Sequence, residues 1–231
     1  MFMITFKSWE EPNLSVLKEI YRRLLETYGP QGWWPAETWF EVVVGAVLTQ
    51  NTTWKNVERA IENLKKANML DPKRMFEADN ELIERLIKPA GFWKLKARRL
   101  KNLLKELSRY DFDFYRLREH LTRDELLSVN GIGPETADSI MLYAFEKPVF
   151  VIDSYTRRIL GRIGLINGRE TYSQLQSMFH QQIKGVETMK EYHALLVEHA
   201  KRVCKKNQPR CGSCVLQDLC AASRRFHPGT G

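Results

Sequence analysis

No apolar stretch in this 231-residue chain is long enough to cross a bilayer. The longest, Val42 to Leu48, is broken by Gly45, whereas a spanning helix needs roughly 20 apolar residues. The opening residues, MFMITFKSWEEPN, hold no basic cluster followed by an apolar stretch, so nothing there directs the chain out of the cell and an intracellular setting is expected. Cysteine is absent until Cys204, and all four cysteines crowd into the C-terminal segment. In an intracellular setting that pattern argues against a disulfide scaffold. No low-complexity linker or internal repeat is present, so any division into lobes must come from the fold and not from a flexible tether. Acidic residues are outnumbered, 28 against 36 lysines and arginines, for a net charge of +8. That excess points to a polyanionic partner without separating DNA, RNA and anionic lipid.

What is present suits a globular protein of one large or two small domains. A hydrophobic content of 43% is ordinary for a folded chain of this length and excludes a disordered or fibrous one. Helical periodicity runs almost end to end. Leu14 to Tyr28 places Leu17, Ile20, Tyr21, Leu24 and Tyr28 on one face before the Gly29-Pro30 stop. Thr53 to Lys66 repeats the stripe with Val57, Ala60, Ile61 and Leu64. Lys96 to Ser108 does so with Leu100, Leu103, Leu104 and Leu107, and Arg98, Arg99, Lys101 and Lys105 occupy the other side. Pro148 to Ile152 is the one strand-like stretch and has no partner, so the expected class is all-α.

Cys204, Cys211, Cys214 and Cys220 follow the spacing C-x6-C-x2-C-x5-C. That spacing lets one looping segment wrap four thiolates around a compact inorganic centre, and it lacks the second C-x2-C knuckle of the usual structural zinc site. Soft thiolates suit both zinc and an iron–sulfur cluster. The spacing favours the cluster, with a four-cysteine zinc site as the alternative.

A second signal is Leu126-Leu127-Ser128-Val129-Asn130-Gly131-Ile132-Gly133-Pro134-Glu135-Thr136-Ala137. A helix ends near Val129, two glycines permit a tight turn, and Pro134 sits where a new helix takes its first residue. Such a helix-hairpin-helix presents backbone N–H groups to a phosphate, although a plain helical corner also favours glycine. Asp153 then opens a helix running to Ile163. An isolated aspartate there is ordinarily an N-cap. At a DNA-binding cleft the same carboxylate would stabilise positive charge on a deoxyribose and orient or deprotonate water.

The hairpin, the aspartate about twenty residues on and the cysteine spacing, in that order, resemble the helix-hairpin-helix DNA glycosylases of the endonuclease III type. The resemblance implies an all-α, two-lobed fold, with a six-helix lobe over residues 31–147 and an iron–sulfur lobe formed by 1–30 with 148–231. It implies a [4Fe-4S] cluster on Cys204, Cys211, Cys214 and Cys220, which shapes a basic loop and does not carry out excision. The implied partner is double-stranded DNA containing damaged bases, met by a monomer in the cytoplasm at the nucleoid. Asp153 becomes the catalytic carboxylate. Gln50 matches the glutamine that enters the space left by a flipped nucleotide, and Phe92, beside Trp93, takes the intercalating position of a wedge loop. Without the resemblance, Phe92 and Trp93 read as core. Gly131 and Gly133 would approach the DNA backbone, and Lys205, Lys206 and Arg210 would reach phosphates, although as a charge run they suit a solvated face equally well.

Glu135 departs from relatives that also cut the strand, which place a lysine nucleophile at this point of the hairpin. No lysine lies between Val129 and Phe145. The expected enzyme is therefore a monofunctional glycosylase that uses water and leaves an abasic site. Trp33, Trp34, Pro35 and Trp54, with Glu135, are similar to the base pocket of the 3-methyladenine glycosylase branch. An N-alkylated purine is cationic, and an indole face attracts a cation by roughly 0.5 to 2 kcal/mol. Adjacent tryptophans are otherwise more often core than pocket. The alternatives are a mismatch glycosylase acting on thymine, uracil or adenine, a bifunctional glycosylase/lyase, and a non-catalytic DNA-binding module. His193 and His199 read as structural.

Overall fold

The computed structural model describes residues 11–223, the first five of them as backbone only. Met1 to Glu10, which carry most of the segment inspected for a leader, lie outside the described residues. In chain order the helices are α1 (Glu11–Tyr28), α2 (Trp39–Leu48), α3 (Trp54–Lys66), α4 (Pro72–Glu77), α5 (Asn80–Leu86) and α6 (Trp93–Leu107). They continue as α7 (Phe114–His120), α8 (Arg123–Ser128), α9 (Pro134–Ser139), α10 (Ser154–Ile163), α11 (Tyr172–Gln182) and α12 (Val186–Arg202). A π-helical turn, Ile140–Ala144, extends α9. Among the described residues there is no strand, and the stretch Pro148 to Ile152 is irregular. No helix among them is long and apolar enough to cross a membrane.

The starts of these helices follow from local chemistry. Thr38, Asp71, Asp113, Thr122, Asp153 and Thr171 each accept the N–H three residues on, satisfying a donor that the first helical turn leaves open. Thr122 and Thr171 form reciprocal capping boxes with Glu125 and Gln174. The predicted stripes are buried: Leu17, Ile20 and Leu24 on α1 and Val57, Ala60 and Leu64 on α3 are fully enclosed. Each large aliphatic side chain removed from water in this way contributes about 1.5 to 3 kcal/mol.

The chain divides into two compact units, one made of the described residues through Trp33 with those from Val149 on, the other Trp34–Pro148. Within the second, α2 is the central helix. It is buried on every side from Phe40 to Leu48 and packs against α3, α6 and the Ile140–Ala144 turn. Within the first, α12 packs against α1 and α10. Tyr192, wholly enclosed, donates its hydroxyl to the Leu17 carbonyl at 2.8 Å. Phe150 and Phe179 stack with centroids 3.8 Å apart. After α12 the cysteine segment folds back on the end of α10, where Ala221 and Ala222 donate to the carbonyls of Ile163 and Arg162 at 3.1 and 2.9 Å. Gly164 closes α10 with φ +97°, a conformation other residues rarely take.

Candidate functional site

Asp153 is both the N-cap of α10 and a buried carboxylate, 8% exposed. Its Oδ1 accepts the Thr156 N–H at 2.7 Å, and its Oδ2 lies 3.5 Å from His193 Nε2 on α12. Burial alone would raise this carboxyl, but the adjacent His193 imidazole and the hydrogen bond from the Thr156 N–H outweigh it, and the group titrates below its ordinary value. An anion is therefore held in place beside an imidazole. The His193 ring in turn meets the half-buried indole of Trp33, centroids 5.7 Å apart, and Lys201 Nζ lies 5.7 Å from the same indole. His193 read as a structural residue in the sequence. The available signal was that a histidine on an apolar helix face needs a buried polar partner, but that partner lies forty residues away in the chain.

In the other unit the hairpin takes the predicted form, with Val129 as the C-cap of α8, Gly133 as the N-cap of α9 and Pro134 as its first residue. Gly131 adopts φ +95°, and a Cβ there would collide with Arg99 Cγ and stand 2.8 Å from its Cδ and Nε. Arg99 Nη1 donates to Gln50 Oε1. Gln50 Nε2 donates to Thr136 Oγ1 at 2.9 Å and to the Gly131 carbonyl at 3.3 Å. Gln50 and the hairpin are thus one assembly, with Arg99 as a member that the sequence did not single out. Asp138, fully buried, receives both Nε and Nη2 of Arg123 at 2.6 and 3.1 Å, which clamps α8 to α9. Glu135 stands exposed on the first turn of α9, as does Gly133 before it.

Phe92 is 65% exposed and sits in the left-handed region at φ 48°, ψ 33°. A bulky residue so placed costs on the order of 1 to 3 kcal/mol. Trp93 differs: it is half-buried, opens α6 and faces Lys88, whose Nζ is 5.6 Å from its ring. Behind both loops lies Lys96, 1% exposed, whose Nζ donates to the carbonyls of Leu48 at 2.9 Å and Ala90 at 2.7 Å. One ammonium therefore ties the chain just before Gln50 to the chain just before Phe92. Burial, and then the charge of Arg99, push it down to about 8.

The residues expected to form a base pocket are divided between the two units. Trp34, Pro35 and Trp54 border a pocket of about 270 Å³ whose other walls include Glu41, Glu58, Glu62 and Lys65. Trp34 and Trp54 meet edge to face at 5.5 Å, and Gly45 leaves the space that the Trp34 ring fills. Trp33 belongs to the other unit, beside His193, and Glu135 is not in this lining. A sequence places Trp33 and Trp34 side by side, yet the boundary between the units falls between them.

The four cysteines are free thiols, all half-buried. Burial raises Cys211, and the nearby Cys220 and Cys204 add to that rise; burial also pushes Cys214 up to about 11. Cys214 Sγ is 3.6 Å from His199 Nε2, and His199 Nδ1 is 2.9 Å from Tyr28 Oη. Arg162 on α10 holds the segment: its guanidinium donates to Cys204 Sγ at 3.3 Å and to the carbonyls of Lys205 and Lys206 at 2.7 and 2.9 Å. Arg158 adds a bond to the Cys204 carbonyl at 2.9 Å. Four thiols within electrostatic reach of one another, with a guanidinium beside one of them, fit a tetrathiolate centre in donor chemistry. No set of three or more ligands stands ready-made among the described residues. Lys206 and Arg210 are exposed, and Lys205 is half-buried.

The family model described as HhH-GPD superfamily base excision DNA repair protein matches residues 44–184. A Methanocaldococcus jannaschii protein, named provisionally as a DNA repair glycosylase, is 46% identical over 91% of this chain and 98% of its own length. The crystal structure of an H. pylori 3-methyladenine DNA glycosylase bound to 1,N6-ethenoadenine is similar with a TM-score of 0.73 at 30% identity, covering 82% of this chain and 97% of that one. A trapped endonuclease III–DNA covalent intermediate shares the fold with a TM-score of 0.80 at 21% identity, over 92% and 97% of the two chains.

Proposed function

The chain belongs to the HhH-GPD superfamily of base excision DNA repair proteins, and from that premise we propose that it releases alkylated purines such as 3-methyladenine from duplex DNA by hydrolysis alone. It is a DNA glycosylase; the substrate and the missing lyase step are our reading. The observation that carries it is the cluster of Asp153, His193 and the Trp33 indole within one unit. An electron-rich ring beside a fixed anion is what a cationic purine on a sugar that turns cationic would require.

In the reaction the electron pair of the C1′–N bond leaves with the base and neutralises its positive charge. The sugar becomes transiently cationic opposite Asp153, which stabilises it by proximity of charge. Water, oriented by the same carboxylate, supplies oxygen to C1′ and gives its proton to solvent. Gln50 and Phe92 would fill and wedge the duplex where the nucleotide has turned out, lowering the cost of unstacking. Gly131, Gly133, Lys205, Lys206 and Arg210 would hold phosphates, and Trp93 would back the wedge. With Glu135 where a lysine nucleophile would stand, the chain has no amine there to form a Schiff base. Cys204, Cys211, Cys214 and Cys220 would hold a [4Fe-4S] cluster, whose contribution is to fix the basic loop between the first two of them.

The test uses purified protein and duplexes carrying 3-methyladenine, 7-methylguanine, uracil, a G·T mismatch or an oxidised pyrimidine, scored with and without alkali. Alkali-dependent breaks confined to the alkylated purines are expected. Breaks without alkali at oxidised pyrimidines would refute both the pocket and the role of Glu135. Asp153→Asn is expected to abolish release while DNA affinity stays equal or rises.

A further inference from the structure

We propose that His193 is a positioning residue for the reaction, holding the Asp153 carboxylate in its working orientation. The inference rests on Asp153 being the catalytic carboxylate. The two oxygens of Asp153 are not equivalent. Oδ1 is committed to the Thr156 N–H, as in any N-cap, and this bond fixes the residue to α10. Rotation about the Cβ–Cγ bond is then limited by what meets Oδ2, and that group is His193 Nε2 at 3.5 Å. His193 is itself immobile. It is 4% exposed, sits on the buried face of α12 next to the enclosed Tyr192, and is bounded by the rings of Trp33 and Phe150 at 5.7 and 6.3 Å. Placement of a catalytic group within a fraction of an ångström depends on such supporting contacts.

The other titratable groups around the pair have backbone or aromatic partners of their own. Tyr172 Oη accepts the Ile152 N–H at 3.2 Å, His180 Nε2 accepts the Phe150 N–H at 2.9 Å, and Lys201 lies over Trp33. These bonds fix the strand-like stretch leading into Asp153, and His193 Nε2 stands against Oδ2. The same imidazole touches the Trp33 indole, so it sets the spacing between the ring and the carboxylate that the proposed reaction uses. Loss of His193 also removes a partner that holds the Asp153 carboxyl low.

The experiment is single-turnover release of 3-methyladenine from a duplex across pH, with DNA affinity and thermal melting measured on the same proteins. The variants are His193→Phe, His193→Gln, Asp153→Asn and, as a control for packing, Tyr192→Phe, which removes the neighbouring bond to Leu17. His193→Phe is expected to slow release tenfold to a hundredfold at unchanged DNA affinity and to move the acid limb of the rate profile to higher pH, because Asp153 must be ionised to act. His193→Gln, which keeps an N–H donor, is expected to recover most of the rate. Tyr192→Phe should lower the melting temperature and leave the pH profile in place. If Asp153→Asn abolishes release while both His193 variants keep the wild-type rate and profile, the carboxylate works without the histidine and this inference is overturned, the proposed function standing. If Asp153→Asn itself releases base normally, the functional reading fails and this inference with it.

Discussion

Gly131→Ala places two separable penalties at one atom. The first is conformational: at φ +95° an alanine costs about 1 to 2 kcal/mol that glycine does not. The second is steric. The new methyl would occupy the position of the Arg99 side chain, so the guanidinium must leave and its bond to Gln50 is lost, which costs about 1.5 to 3 kcal/mol for a hydrogen bond to a charged group. Together they predict a loss of about 2.5 to 5 kcal/mol. Urea titrations of wild type, Gly131→Ala, Arg99→Ala and the double variant separate the two penalties. With Arg99 already truncated, the steric part vanishes, and Gly131→Ala should cost only the conformational 1 to 2 kcal/mol. Equal cost in both backgrounds would refute the idea that Gly131 is kept small by Arg99.

Three further outcomes are expected. Lys96 in the folded protein gives up its proton near 8, whereas the unfolded chain keeps it to about 10.5; between those values the unfolded state binds more protons and stability rises with pH. Lys96→Met should flatten that rise relative to wild type in denaturation curves, and identical slopes would remove Lys96 as its source. Arg123→Ala takes the bidentate partner from the fully buried Asp138 and should cost about 3 to 5 kcal/mol, whereas the paired change Arg123→Met with Asp138→Leu should be far milder in the same melts. Phe92→Gly should raise stability by about 1 kcal/mol by relieving the left-handed backbone while slowing base release, and a variant as active as wild type would dismiss Phe92 as a wedge.

The parts of this molecule legible in the sequence are those set by neighbours along the chain. The helical stripes, the Asp153 cap and the hairpin with Pro134 at its first helical position follow from local periodicity and turn chemistry, whereas the exposed Phe92 was expected only through the family resemblance. Boundaries were less so: α6 begins at Trp93 and not Lys96, because the left-handed Phe92 before it has no signature in hydropathy. Basic residues on α6 were misleading for a different reason. Arg98, Arg99, Lys101 and Lys105 suggest a solvated side, yet Arg99 reaches Gln50 and Lys101 donates to the carbonyls of Met75 and Phe76 at 2.9 and 2.7 Å. Long cationic side chains can lie along a surface and end on distant backbone, and nothing in their own spacing names the acceptor. His193 escaped for the same reason, since its meaning lies in an aspartate on another helix.

Helix α10 has a consequence for how the enzyme is assembled. Asp153 caps its N-terminus, and Arg158 and Arg162 further along it grip the carbonyls of Cys204, Lys205 and Lys206. Ten residues at 1.5 Å each make a rod of about 15 Å. The rod makes the cysteine segment and the carboxylate ends of one lever. A change at the cysteine segment and a change at the Asp153 cap therefore both act on one rigid element, held at its far end by Arg158 and Arg162.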